Sequence, residues 1–295
     1  MVGSSLWSRL RGTVPVRHPT APDYEPAVFI GQPAAVAADY RLLIETARAL
    51  PESASCDPAL LSAINTEMMR RRILTGTQDG PALPRITELT VRHAGLPEWW
   101  HANGNLLLCG TGSEAQIQLG FWQTPCRDCV AVIGSGATPP RLIFEGAGGM
   151  VVIGDGCGFV NSGVNVTGES TIMIGENSTA TYMSSIDVRN GGIVVVGDDN
   201  MWAMGVGMLS DDTHAIREVA TDRRINEFGG RIVIDRHVWL GNHVQVMGHC
   251  WIGHDGVVGQ GSLVKGARLP DHAVSAGRPA KPRRTGITWS RQDLP

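Results

Sequence analysis

Phe and Tyr are scarce in this 295-residue chain, five and three beside eight Trp, and are set against 37 glycines, about double the usual glycine share. A core with so few rings has to be largely aliphatic, and that much glycine serves many tight corners. No apolar run approaches the roughly 18 residues of a membrane-spanning helix, so a transmembrane protein is excluded. Twenty-five Lys+Arg against 28 Asp+Glu leave a net charge of −3, and without a basic surplus nucleic acid is not an expected partner. The six cysteines, at 56, 109, 126, 129, 157 and 250, are too dispersed for a disulfide scaffold and read as reduced thiols. Cys126 and Cys129 form a C-x-x-C, but no second pair stands at zinc-ribbon spacing. Residues Met1 to Trp7 lack the charged-then-apolar pattern of a secretory leader, so the expected location is cytoplasmic.

What is present falls into two parts. Between Ala34 and Leu50 the positions Val36, Tyr40, Leu43, Ile44 and Ala47 make the apolar stripe of an amphipathic helix. Asp57-Pro58 reads as an N-cap with proline in the first turn, Leu61, Ile64 and Met68 as a second stripe, and Gly76 as the C-terminal cap. Arg70-Arg71-Arg72 closes that helix and is expected to complement its dipole as solvated charge. Residues 1–104 are accordingly expected to form a largely helical N-terminal region.

From there to about residue 270 the chain repeats. Ile234, Leu240, Val246, Ile252, Val258 and Val264 place an aliphatic residue at every sixth position, and four positions after each come Val238, Val244, Cys250, Gly256, Ser262 and Arg268, all but the last compact. Strand and turn at this period make three flat sides, about eighteen residues to a triangular coil. Upstream, Ile133-Gly134, Ile153-Gly154, Ile174-Gly175 and Val196-Gly197 recur at spacings of 20, 21 and 22, which calls for slightly larger coils. A β-sandwich would not keep six aliphatic residues in strict register. A parallel β-helix is therefore expected over residues 105–282, followed by a tail at 283–295. The ladder breaks once, at about 209–231, where a polar segment without period leaves the prism as a loop, and long loops on rigid scaffolds are commonly functional.

Three segments carry a family resemblance: Ser210-Asp211-Asp212-Thr213-His214-Ala215-Ile216, Ile234-Asp235-Arg236-His237-Val238-Trp239-Leu240-Gly241, and Val258-Gly259-Gln260-Gly261-Ser262-Leu263-Val264 running into Ser275 through Lys281. They resemble the hexapeptide-repeat acyltransferases, especially the sugar O-acetyltransferases of the capsular-polysaccharide and polysialic acid type, over residues 130 to 290. The resemblance implies a left-handed parallel β-helix, a homotrimer, and acetyl-CoA bound between neighbouring prisms. It further implies transfer of an acetyl group to a saccharide hydroxyl.

Acyl transfer to an alcohol needs a base within hydrogen-bond reach of the hydroxyl. His214, the loop's only histidine, fits the family's catalytic position, with Asp211 or Asp212 behind it to fix the tautomer. Trp239 matches a tryptophan important in the related enzymes and either orients a substrate or packs on the outer face; Trp251, at the same place in its own hexapeptide, is the internal control. For acetyl-CoA the resemblance suggests Lys265, Arg278 and Lys281 near the phosphates, with Gly241, Gly259 and Ser262 as weaker contacts that corner geometry already explains. Arg283-Arg284 reads as solvated tail. Two rivals remain. His237, His243, His249 and His254 suggest a zinc carbonic anhydrase of the same fold, but residues six apart face three directions, so no metal site is expected there. A non-catalytic scaffold would leave His214 dispensable. Within the family, a nucleotide-sugar amine or a small metabolite such as serine is the alternative acceptor.

Overall fold

The structure is a computed structural model that describes residues 38–293, apart from 87, 114–116, 124 and 227. The start of the first expected helix, Ala34 and Val36, and the segment Met1 to Trp7 lie outside the described residues. The chain is a left-handed parallel β-helix of about 7 turns, with three faces and a small helical layer.

The first face stacks Leu106–Cys109, Val130–Ile133, Met150–Ile153, Thr171–Ile174, Ile193–Val196, Arg231–Ile234, Cys250–Ile252 and Arg268–Leu269 in parallel. The second runs from Gly158–Phe159 through Trp239–Leu240 to Ala273–Gly277, where Ala280–Thr285 folds back antiparallel. The third runs from Leu119–Gly120 through Gly207–Leu209 to Leu263–Lys265. The hexapeptide residues form the expected columns: Ile133, Ile153, Ile174, Val196, Ile234 and Ile252 are consecutive partners on the first face, and all six ladder residues from Ile234 to Val264 are buried. Gly154 follows its aliphatic neighbour because a Cβ there would stand 2.9 Å from Glu176 N in the next coil. The few rings concentrate in the wider upstream coils, where Trp100 meets Phe144 and Phe159 meets Trp202 inside the prism.

Helix α1 (Ala38–Arg48) and helix α2 (Pro58–Thr75) lie on the first face. Asp57 caps α2 through Leu60 N–H at 2.8 Å, and Gly76 ends it at φ 66, as the sequence indicates. Tyr40, Leu43, Ile44, Ala47, Ile64 and Met68 bury against Met150, Val152, Met173, Ile193 and Val195 of the prism's outer surface. The arginine run corrects an expectation, because Arg71 and Arg72 are 6% and 2% exposed rather than solvated. Arg71 donates to Glu67 at 2.6 Å, Gly148 O at 2.8 Å and Thr171 Oγ1 at 3.0 Å, riveting α2 to two coils. Arg72 donates to Pro81 O at 2.6 Å and Thr77 O at 3.0 Å, fixing the turn that follows α2. A guanidinium's five donors let it replace water at carbonyls that would otherwise be buried unpaired. Cys126 and Cys129 are buried in the prism as free thiols.

Candidate active site

The inserted loop, residues 210–230, leaves after the third-face strand Gly207–Leu209 and returns at the first-face strand Arg231–Ile234. Its neck is tied by polar bonds. Ser210 Oγ accepts Arg189 N–H at 2.9 Å. Asp211, 3% exposed, accepts Asn190 Nδ2 at 2.6 Å, Gly229 N–H at 3.3 Å and Thr213 N–H at 2.9 Å. The last of these holds Thr213 at φ 61, a left-handed conformation that β-branched residues rarely adopt and that commonly marks a functional constraint. The turn delivers His214 to the surface, exposed, with Nδ1 2.8 Å from Thr213 Oγ1.

Neither aspartate is bonded to the His214 ring. Asp211 holds the neck; Asp212 faces Lys265 Nζ and Asn226 Nδ2 at 3.3 and 3.2 Å, while Asn226 also binds His214 O at 2.8 Å. The expected aspartate behind the imidazole is thus replaced by the Thr213 hydroxyl. When Nδ1–H donates to that oxygen, Nε2 keeps its lone pair and is the basic nitrogen.

Trp239 lies on the second face, 38% exposed. In a three-sided prism that face is opposite the corner from which the loop emerges, so a single chain does not bring His214 and Trp239 together. Of the residues suggested for the cofactor, Gly241 and Gly259 stack at the corner between the second and third faces, donating to Val258 O at 2.9 Å and Ser275 O at 2.8 Å. A Cβ on Gly241 would stand 2.8 Å from Gln260 N, so coil packing accounts for it. Ser262 is 1% exposed, donating to Gly259 O at 2.6 Å and accepting Gly277 N–H at 3.1 Å, so its hydroxyl is part of the prism wall. Arg278 reaches the same corner, donating to Gly261 O at 2.8 Å. Lys281 is exposed on the antiparallel return strand, paired with Ala276. Lys265 stands apart from these, beside the loop through Asp212.

Of the rival zinc set, His237, His243 and His249 occupy three different corners between strands, and His254 shares the corner of His237, both beside Asp255.

The sequence reading missed the strap at the end of the chain. Trp289 stacks on His237 with centroids 4.3 Å apart and planes at 9°, and its Nε1 donates to His237 O at 2.8 Å. Arg291 donates to Asp199 Oδ1, Thr179 Oγ1 and Asn200 O at 2.7 to 2.9 Å, crossing several coils. Trp289 also stands 6.1 Å from Trp239 between ring centroids. A tryptophan and an arginine in an otherwise polar tail were the available signal. A second feature lies where the loop returns: a cleft of about 510 Å³ bounded by Asp79, Arg231, His249, Trp251 and Arg268, with the Arg268 guanidinium 4.3 Å over the Trp251 ring.

A rigid left-handed prism that extrudes one histidine-bearing loop is an architecture this chain shares with acetyltransferases of known structure. The chain is similar to the polysialic acid O-acetyltransferase of Escherichia coli O1:K1 / APEC, 31% identical over 136 residues that make up 45% of this chain and 43% of that protein. It is also similar to the polysialic acid O-acetyltransferase of Neisseria meningitidis, 27% identical over 128 residues covering 36% and 59% of the two chains. The crystal structure of the polySia-specific acetyltransferase NeuO superposes with a TM-score of 0.53 at 25% identity, over 63% of this chain and 90% of that one. The chain spans about half the length of the curated relatives it matches. No family model matches the sequence.

Proposed function

We propose that this protein is an acetyl-CoA-dependent O-acetyltransferase that modifies a hydroxyl of a capsular or cell-surface polysaccharide or its precursor. The observation that carries this reading is the strained Asp211–Thr213 turn, which presents His214 on an otherwise regular prism in a chain similar to two polysialic acid O-acetyltransferases. His214 Nε2 removes the proton as the sugar oxygen attacks the thioester carbon, and the imidazolium returns it to the sulfur as the tetrahedral intermediate collapses and coenzyme A leaves. The attack is direct. The Cys157 thiol is pushed up to about 12 by burial, which suits a packed side chain and not a nucleophile.

Because His214 and Trp239 lie on opposed parts of one prism, the site is completed by a neighbouring copy in a homotrimer. An exposed apolar column at the corner between the second and third faces, Val160, Tyr182, Met183 and Met204, supports such an assembly. Arg278 and Lys281 suit the phosphates of the donor. The cleft at the loop's return suits an acidic sugar, with Arg231 and Arg268 for a carboxylate and Trp251 for a sugar ring. The test is mass gain of one acetyl group on candidate glycans, polysialic acid first, with acetyl-CoA as donor. His214→Ala is expected to lose about 10²- to 10⁴-fold in turnover. Unchanged acetyl-CoA consumption by that variant would mean another base or no catalysis at this loop.

A further inference from the structure

The corner between the first and second faces gathers imidazoles and carboxylates from successive coils at the C-terminal end of the prism. His254 Nδ1 is 2.9 Å from Asp255 Oδ2, and His254 Nε2 is 3.3 Å from Asp271 Oδ2. His272 Nδ1 stands 3.9 Å from that same Asp255 oxygen, and the His254 and His272 rings meet edge to face with centroids 4.6 Å apart. One potential ligand atom from each of His254, Asp255 and His272 lies within 4.8 Å of the others. The group is three-quarters or more buried at His254 and Asp255 and half exposed at His272, so it is sheltered and still open to an ion.

The surroundings of His254 narrow what this corner can hold. A neutral imidazole has one N–H, yet both nitrogens of His254 face carboxylate oxygens. With Nε2–H donated to Asp271, the Nδ1 lone pair points at the Asp255 lone pairs across 2.9 Å. A second ring proton on His254 satisfies that contact, and so does a metal ion bound by Nδ1 and Asp255 together. In metal sites a carboxylate commonly takes the outer N–H of a ligating imidazole and fixes its tautomer, and Asp271 stands in that position to His254.

We propose that His254, Asp255 and His272 bind a divalent transition-metal ion of the zinc class, with Asp271 orienting His254. Two imidazoles and one carboxylate are borderline and hard donors suited to zinc, cobalt or nickel and poorly suited to calcium or magnesium. Donors at about 2.0 to 2.2 Å from a tetrahedral ion stand about 3.4 Å apart, and the two separations from Asp255, 2.9 and 3.9 Å, bracket that value. The role is structural. Thr288 Oγ1 donates to Asp255 Oδ1 at 2.8 Å, so a metal held by Asp255 pins the root of the strap that carries Trp289.

The experiment uses the full chain without a histidine tag, stripped with chelator and dialysed against cobalt(II) and then zinc(II). One equivalent of cobalt per chain is expected, with visible absorption of a tetrahedral nitrogen and oxygen site that zinc displaces. His254→Gln and His272→Asn are expected to lose that equivalent and weaken affinity at least 100-fold. Asparagine is chosen because His272 sits at φ 51, a conformation it tolerates. His243→Asn, at another left-handed corner position with φ 57, is expected to bind as the parent does, and far-UV circular dichroism checks that each variant is folded. Substoichiometric binding, or cobalt retained by folded His254→Gln or His272→Asn, would overturn the proposal. So would an imidazole titration of His254 with no bound metal at any ratio, because a second ring proton would then satisfy both carboxylates.

Discussion

The first face of the prism is one continuous sheet with two different surroundings. Val132, Val152, Met173, Val195, Val233 and Trp251 are successive partners in a single outward-facing column. The members from Val132 to Val195 are buried under α1 and α2, whereas Trp251 lines an open cleft with Arg231 and Arg268. The backbone is the same at both ends, so the sheet needs only its inner column to exist; the outer column is set by what has to cover it. In the covered half the strands read as unbroken apolar runs, Val130-Ala131-Val132-Ile133 and Ile193-Val194-Val195-Val196, because both faces are dry. In the open half Arg231-Ile232-Val233-Ile234 and Arg268-Leu269 begin with exposed charge. The covered half is a foundation and the open half is free to bind.

A charge placed in that column should expose the contrast most strongly. Met173→Lys buries an ammonium beneath the helices and is expected to cost about 3 to 5 kcal/mol or to prevent folding, whereas Trp251→Lys should stay within about 1 kcal/mol. Urea titration of both variants reads the difference, and equal losses would mean that the helical layer is not a seal. Next in size is Glu67→Gln. It leaves Arg71 buried at the seam without its carboxylate and is expected to cost about 3 kcal/mol, seen as early hydrogen exchange in α2 while the ladder amides stay protected.

The same carboxylate gives the seam a pH dependence. Burial raises the Glu67 carboxyl, but hydrogen bonds and charge from Arg70 and Arg71 outweigh it and leave the group below the ordinary carboxylate value. A depressed folded value means that the stabilisation is complete above the unfolded pKa of about 4.3 and disappears as pH falls through the folded one. Acid should therefore loosen α2 before it melts the prism. The check is exchange protection in α2 against the ladder from pH 6 downward, and simultaneous loss of both would place the linkage elsewhere.

The prism was legible because its code is local: an inward aliphatic every six residues and a compact residue four later need no knowledge of distant partners. Helix α1 was legible from its stripe and α2 from its stripe and caps. The unbroken apolar runs also announced that one face would be covered, a signal that the six-residue count alone passes over. What could not be read was any bond whose partner is set by stacking or by an excursion. Arg71 and Arg72 look like dipole-complementing charge until Gly148, Thr171 and Pro81 come into reach. Asp211 and Asp212 look interchangeable behind His214, but one ties the loop's neck and the other meets Lys265, 53 positions away. Coil lengths vary here, so Asp255 stacks with His272 at a step of 17, against 18 between His237 and Asp255. A fixed count would have paired the wrong residues.

The strap lies along the corner between the first and second faces, tied to Thr179, Asp199, Asn200 and His237, as the helices lie along the first face. Ending the chain at Thr285 removes the Trp289 stack and the Arg291 bonds but no part of the aliphatic column. The expected loss is about 1 to 2 kcal/mol, since those hydrogen bonds are largely exposed. Thermal unfolding reads it, and a loss as large as that of Met173→Lys would make the strap a second foundation.

The smallest expected effects on stability, and the sharpest on function, come from the two tryptophans at equivalent hexapeptide positions. Trp239 and Trp251 both present indoles outward, so replacing either by Ala should leave folding within about 1 kcal/mol. Their neighbours differ. Trp239 faces Trp289 on the second face, and Trp251 lies under Arg268 in the cleft. If Trp239 orients the reacting groups, Trp239→Ala lowers kcat, because an orienting contact acts in the transition state. If Trp251 only carries a sugar ring, Trp251→Ala raises the KM for the glycan and spares kcat. Equal mild losses in both would take Trp239 out of the site and leave the open half of the prism with the cleft as its one binding surface.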